Sequence, residues 1–216
     1  MDFRSVFVRT LDRILVDNGL EDRQEEFRDR WKSFVFQGQA KGAFVTVRED
    51  FEESLVTVLT ELGQDGDLVP YAHNVIGDMF EQLREADLFP EVPEAIAAIE
   101  EEGIPWAIVS NVDEEELKAI IANQGLMPTA AISSERVRSY KPDSAIFQAA
   151  LDELGLSASQ VVHVGDSPLA DVVGAADAGM SALWVNRYGQ HFPEDLPRPK
   201  WVLPDLGGLP ALLLED

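Results

Sequence analysis

Two carboxylates follow a short apolar segment in the second half of the chain. The β-branched run over residues 161–164 ends at Gly165-Asp166, and Asp171 follows five positions after Asp166 at the start of an apolar-periodic segment. This pattern predicts a strand, a tight turn and a helix. In a parallel α/β sheet such a turn lies at the carboxyl edge of the strands, where ligands bind. We therefore predict a Mg²⁺ site at Asp166 and Asp171, with Gly165 permitting the close approach of the ion and of a phosphate group.

Two further predicted strand ends carry polar groups that suit an anion. The apolar segment 104–110 ends in Ser110-Asn111, so a hydroxyl and backbone amides stand at a helix N-terminus. Lys141-Pro142 precedes another helical segment and directs one cation inward. Neither motif is diagnostic alone, because Ser and Asn also cap helices and an exposed lysine is usually only solvated. Together with Asp166 and the second acid, however, they form a coherent phosphate site.

Two groups of elements must position these residues. Helical periodicity covers residues 2–18, 21–36, 50–62 and 69–86, and two prolines at Pro90 and Pro93 then mark a boundary. Beyond it, helix and strand patterns alternate. We predict an α-helical bundle cap domain over residues 1–86 and, over residues 87–216, an α/β domain with a Rossmann-like, doubly wound parallel sheet. Within the second domain, Asp113 with Glu116 three residues later is typical of a capping box at a helix start.

Composition narrows the classes of partner. The 216 residues include 40 acidic and 17 basic side chains, which gives a net charge of −23, and the chain has no cysteine. Such a charge opposes binding to nucleic acid or to anionic membranes. Without cysteine, neither disulfides nor a cysteine nucleophile is available. With no signal peptide and no apolar run of about 20 residues, we expect a cytoplasmic monomer or homodimer.

The motifs, taken in order, resemble a known family. Ser110-Asn111, then Lys141-Pro142, then Gly165-Asp166 with Asp171 resemble the haloacid dehalogenase-like (HAD) hydrolases in which a helical cap precedes these motifs. The resemblance implies that Ser110 and Asn111 bind substrate and that Lys141 bridges the phosphate and the nucleophile. It also implies that Asp166 ligates Mg²⁺ with Asp171 assisting. The expected activity is Mg²⁺-dependent hydrolysis of a small phosphorylated metabolite through an aspartyl-phosphate.

The family's first motif, an apolar strand followed by Asp-x-Asp-Gly-Thr-Leu, is not found in this chain. In one interpretation, residues 5–9 are that strand and Thr10 stands in the nucleophile position of an inactive or repurposed homologue. In the other, residues 1–7 begin the first cap helix, and the strand with its nucleophile would lie upstream of Met1. Trp31-Lys32 then falls where related caps carry Trp-Arg, so we expect both residues to contribute to substrate binding. Helical spacing after Phe7 favours the second interpretation.

Both interpretations have the same consequence for activity, and the second also has a consequence for the sheet. Without the nucleophile, we expect impaired turnover. Because the family's first strand is central, its removal would leave the strands over 104–110 and 160–165 about 9 to 10 Å apart unless the sheet closes up.

Two other functions stay open. Dehalogenases of this superfamily share the scaffold without the metal, but they typically carry Ser-x-Asn where this chain has Gly165-Asp166, and a tyrosine where it has Phe147. These differences favour a phosphatase over a 2-haloacid dehalogenase. The third possibility is a non-catalytic HAD-like protein that binds a ligand or partner through its cap. His163, within the strand before Gly165, is expected to be a packed or hydrogen-bonded core residue.

Overall fold

The structure, a computed structural model, describes residues 3–35 and 44–214. The described residues form two compact units: one comprises the residues up to Asp87 together with Val112–Leu126, and the other comprises Leu88–Asn111 and the residues from Met127 onward. Ten α-helices lie in the described part of the chain: α1 Phe3–Asp17, α2 Gln24–Val35, α3 Val47–Glu61, α4 Leu68–Glu85, α5 Val92–Glu101, α6 Glu114–Asn123, α7 Ser134–Val137, α8 Ser144–Leu154, α9 Gly174–Asp177 and α10 Leu209–Leu214. The strands are β1 Ala107–Ser110, β2 Ala130–Ser133, β3 Val162–Gly165, β4 Ser181–Val185 and β5 Trp201–Leu203.

The first unit is helical, as its periodicity predicts. Helix α1 buries Val6, Leu11 and Ile14 on one face, and these pack with apolar side chains of α2, α3 and α4. A three- to four-residue spacing brings such residues to one side only in a helix. The interpretation of residues 5–9 as a strand is therefore wrong, and Thr10 is a buried residue of α1.

Helix α6 packs with the helices of the first unit, although it follows β1 directly along the chain. The predicted capping box at its start is wrong, because the Asp113 carboxylate makes no cap bond to α6. It accepts instead from the amides of Val47 at 2.7 Å and Arg48 at 3.0 Å, at the start of α3. Glu116 is buried between the guanidinium groups of Arg48 and Arg84. Long-range partners have replaced the local ones.

The second unit is an α/β structure in which all strand pairs are parallel. Its strands form two sheets, β1-β2 and β3-β4-β5, with Ser110 opposite Ser133 and Gly165 opposite Trp184. The parallel α/β class is therefore confirmed. Within the described residues, β1 and β3 are not hydrogen bonded to each other, so the sheet has not closed up between them. Every residue of these two strands is only partly buried, whereas most of β4 is buried.

The remaining elements complete this unit. Helix α8 packs against β1 and β2 and supplies Ile146 and Phe147 to the core. A π-helical turn over Pro168–Val173 leads into α9, where a single helix is predicted. The proline-rich segment 189–199 contains no helix or strand. No helix in the described part of the chain is long and apolar enough to cross a membrane.

Candidate functional site

Asp171 lies at the centre of a hydrogen-bonded cluster in the second unit. Its Oδ1 accepts from Lys141 Nζ at 2.7 Å and lies 3.0 Å from His163 Nε2, while its Oδ2 accepts from the Ser167 amide at 2.9 Å. The residue is 4% exposed. Burial alone would raise the pKa of Asp171, but the hydrogen bond from His163 and the charge of Lys141 outweigh it and lower this pKa. Asp171 is therefore an ionised counter-ion, and because a carboxylate only accepts, His163 Nε2 is the donor.

The segment after β3 is built around this carboxylate. Ser167 Oγ accepts from the Ala170 amide at 3.1 Å and caps the π-helical turn that carries Asp171. A Cβ placed on Gly165 would lie 2.2 Å from Asp171 Cγ, a separation that no side chain tolerates. Gly165 is thus needed to make room for Asp171. The predicted role of Gly165 in the approach of an ion and a phosphate stays a prediction.

Lys141 joins β1 to the same cluster. Its Nζ donates to the Val109 carbonyl at 2.8 Å as well as to Asp171. Its backbone is held by Asn111, whose side chain accepts from the Lys141 amide at 2.7 Å and donates to the Lys141 carbonyl at 3.1 Å. Ser110, the last residue of β1, stands between Val109 and Asn111 and is partly buried. The structure therefore brings Asn111, Lys141 and Asp171 together, with Ser110 next to Asn111 at the end of β1; their roles in binding and catalysis stay predictions.

Asp166 is an exposed carboxylate beside this cluster. Its backbone carbonyl accepts from the Trp184 indole at 2.9 Å, which fixes the turn after β3. Partial desolvation by the surrounding chain and the charge of Asp171 both raise the pKa of Asp166. A solvent-facing carboxyl group with a raised pKa can exchange a proton with a bound ligand.

The predicted pair of acids does not fit a two-carboxylate Mg²⁺ site. Both oxygens of Asp171 accept hydrogen bonds, and the Lys141 ammonium is 2.7 Å from Oδ1. Mg²⁺ binds carboxylate oxygens at about 2.1 Å, and the neighbouring Lys141 ammonium repels the ion, which disfavours Asp171 as a direct ligand. No group of three or more acidic or histidine side chains within residues 3–35 and 44–214 is arranged to hold a metal ion. Of the predicted pair, Asp166 alone is placed to act as a ligand, so the Mg²⁺ expectation stays a prediction.

The two predicted cap residues have different environments in the first unit. Trp31 is fully buried, stacks on Phe7 with ring centroids 5.1 Å apart, and donates from its indole to Ser54 Oγ at 3.0 Å. In this conformation its ring offers no surface to a ligand. Lys32 is exposed. Their contribution to substrate binding stays a prediction.

The sequence comparison decides the family. The profile of the haloacid dehalogenase-like hydrolases matches residues 6–179, a range that includes all the motif residues described above. The chain belongs to this family. It is therefore a HAD-like hydrolase by descent, and the resemblance inferred from the motifs is confirmed.

Individual relatives include dehalogenases and phosphatases. An (S)-2-haloacid dehalogenase of Pseudomonas sp. strain YL is 26% identical over 196 residues, which are 88% of this chain and 82% of that enzyme. A phosphoserine phosphatase of Thermus thermophilus is 31% identical over 110 residues, 50% of this chain and 44% of that enzyme. Among solved structures, the L-2-haloacid dehalogenase of Xanthobacter autotrophicus has a TM-score of 0.79 at 22% identity, covering 99% of this chain and 93% of its own.

His163 is the site residue to which the sequence assigns no more than a core position. It is hydrogen bonded, as expected, but its partner is the central carboxylate Asp171. The signal that could have found it is the period of two along a strand, which places His163 on the same face as Gly165. Since Asp171 packs on Gly165, a polar side chain two residues earlier lies within reach of its carboxylate.

Proposed function

We propose that this HAD-like hydrolase acts on small 2-substituted carboxylic acids, as 2-haloacid dehalogenases do. The observation that carries the proposal is the commitment of both Asp171 oxygens to Lys141, His163 and Ser167. What this arrangement offers a ligand is a lysine ammonium beside the donors at the end of β1. The relatives that align over most of the chain point in the same direction, because they are named as dehalogenases.

A carboxylate suits the chemistry of these groups. An ammonium has three donors, and Lys141 directs two of them at Val109 and Asp171 in the described residues. The third can bind a substrate oxygen, with the Ser110 hydroxyl and the Asn111 backbone amide as further donors. The site thus offers one cation, which it shares with Asp171, and a few neutral donors, and a ligand with a single negative charge suits it better than a doubly charged one.

Hydrolysis of such a substrate replaces the halogen at C2 with a hydroxyl group. A C–O bond forms, the C–halogen bond breaks, the halide leaves with the bonding pair, and water supplies the oxygen and releases a proton. In this account Lys141 orients the substrate carboxylate, and Asp166 is placed to receive the proton. The family's reaction also uses a nucleophilic aspartate at a strand end. The described residues before β1 are helical, so we expect turnover by these residues alone to be impaired.

The second candidate function is hydrolysis of a phosphate monoester. The observation that favours it is Asp166, the acid of the Gly165-Asp166 pair that stands where dehalogenases of the superfamily typically carry Ser-x-Asn. The phosphatase relatives, which align over about half of this chain, support the same alternative. On this alternative, Asp166 would be the residue that holds Mg²⁺.

Product release in the presence and absence of metal distinguishes the two. Halide release from 2-chloropropionate and phosphate release from a small phosphate monoester are measured with EDTA and with Mg²⁺, in the wild type and in Lys141→Met. Lys118→Met is the control, because Lys118 is an exposed residue of α6. We expect slow halide release, in keeping with the impaired turnover, that EDTA does not affect, that Lys141→Met abolishes and that Lys118→Met leaves unchanged. Phosphate release that requires Mg²⁺, without halide release, would reverse the order of the two candidates.

A further inference from the structure

We propose that His163 is a positioning residue that holds the Lys141 ammonium in place through Asp171. Asp171 Oδ1 is shared by two donors, Lys141 Nζ at 2.7 Å and His163 Nε2 at 3.0 Å. The histidine lies on β3, and the lysine also donates to Val109 on β1. The carboxylate therefore links a fixed side chain of one strand to a cation that contacts the other.

The ring of His163 is held independently of Asp171. It packs edge-on against Phe147 of α8, with ring centroids 5.0 Å apart and an interplanar angle of 85°. Phe147 is fully buried and cannot shift without disturbing the core. His163 thus presents Nε2 from a rigid position, whereas Lys141 has a long flexible side chain that needs a fixed acceptor.

The three partners of Asp171 contribute differently to its placement. The Ser167 amide fixes Oδ2, and the close packing on Gly165 fixes the position of the carboxyl carbon. These two contacts restrain the rotation of the carboxylate from its Oδ2 side, and His163 is the donor besides Lys141 that holds Oδ1 directly. Without His163, Oδ1 loses its own fixed donor, and the acceptor that it offers to the ammonium is held less firmly.

That Lys141 binds substrate rests on the proposed function, but its placement by His163 does not. The test therefore measures the reactivity of the Lys141 amine and not turnover. The protein is treated with a trace amount of acetic anhydride, and the acetylation rate of each lysine is obtained by peptide mass spectrometry. Lys118, whose side chain is 72% exposed, is the internal reference, and Lys200, in the same unit as Lys141, reports any general loosening.

We expect Lys141 to react more slowly than Lys118 in the wild type. In His163→Leu the Lys141 rate, relative to Lys118, should rise about fivefold, the factor that corresponds to a net hydrogen bond of about 1 kcal/mol. His163→Gln, which keeps a donor nitrogen, should react like the wild type. In an Asp171→Asn background, His163→Leu should have no further effect, because the lysine is already released.

Three results would overturn the proposal. The Lys141 rate could be unchanged in His163→Leu, or the rate of Lys200 could rise by the same factor, which would indicate a merely structural role. The substitution could also act equally in the Asp171→Asn background, which would show that His163 does not act through Asp171. If the expected acetylation rates are observed while halide release is absent, the proposed function alone has failed.

Discussion

Replacing Gly165 with alanine is predicted to be among the most damaging single-methyl additions in the second unit. The added Cβ would lie 2.2 Å from Cγ, 2.4 Å from Oδ2 and 2.5 Å from Cβ of Asp171. All three atoms belong to a buried side chain that is held by Lys141, His163 and the Ser167 amide. The clash can be relieved only if Asp171 leaves this position or β3 shifts away from it.

The loss in free energy of unfolding depends on whether β3 shifts or Asp171 is expelled. Overpacking in a close-packed region costs about 1 to 3 kcal/mol. Breaking a buried ion pair by displacing one partner costs about 3 to 5 kcal/mol, and expulsion of Asp171 would break its pair with Lys141. The two routes are alternatives, so the cheaper one limits the loss to at most about 3 kcal/mol, and the closeness of the clash places it near that limit. For a chain of this size that is a decrease of roughly 6 to 12 °C in the melting temperature.

Thermal and urea unfolding, followed by circular dichroism and by tryptophan fluorescence, measure this loss. Trp184 donates to the Asp166 carbonyl one residue from Gly165, so the fluorescence also reports the turn directly. Gly77→Ala is the matched control: it makes the same chemical change within α4, where the nearest atom is 3.6 Å away, and helix propensity should make it slightly stabilising. A Gly165→Ala protein within about 1 kcal/mol of the wild type would refute the close packing on which this reasoning rests.

Three further predictions concern charge. The folded state raises the pKa of Asp166 above the ordinary pKa of an aspartate. Ionisation of Asp166 therefore costs stability as the pH rises above that ordinary pKa. Asp166→Asn should therefore raise the free energy of unfolding at pH 7, by less than about 1 kcal/mol because the group is exposed, and with it the melting temperature. This gain should vanish below about pH 4. A gain that persisted at low pH would contradict the cause assigned. Glu116→Gln should destabilise the protein by about 3 kcal/mol in urea unfolding, because it leaves two arginines facing a neutral group. Glu115→Gln, at an exposed position, should not destabilise it. Equal effects of the two substitutions would contradict the buried ion cluster. The chain has a net charge of −23, so its acidic groups repel one another. The melting temperature should rise as the NaCl concentration goes from about 0.1 to 1 M, because the Debye length falls from about 10 to 3 Å. An unchanged melting temperature would show that this repulsion is unimportant.

The long periodic segments could be predicted because their burial is decided locally. The spacing of Val6, Leu11 and Ile14 specifies α1, and the β-branched run before Gly165 specifies β3. Short elements carry too few residues to show a period. The four-residue helix α7 and the π-helical turn over Pro168–Val173 are accordingly absent from the prediction, as is α10 near the end of the chain.

The site shows the same division between local and long-range causes. That Ser110, Lys141 and Asp171 meet follows from strand ends sharing one edge of a parallel sheet, which the sequence pattern contains. The partner of each side chain does not follow from it. Asp113 and Glu116 have the spacing of a capping box, yet they bond to α3 and α4 because residues more than 30 positions away offer better donors.

Binding of 2-chloropropionate in EDTA, measured by calorimetric titration of the wild type and of Lys141→Met, tests the central claim most directly. We expect saturable binding of 2-chloropropionate without metal. Lys141→Met should weaken this binding by about tenfold or more, because a charge-assisted hydrogen bond is lost. Inorganic phosphate should bind more weakly under the same conditions. The absence of 2-chloropropionate binding, or phosphate binding that requires Mg²⁺ and is lost in Asp166→Asn, would contradict a lysine-centred carboxylate site.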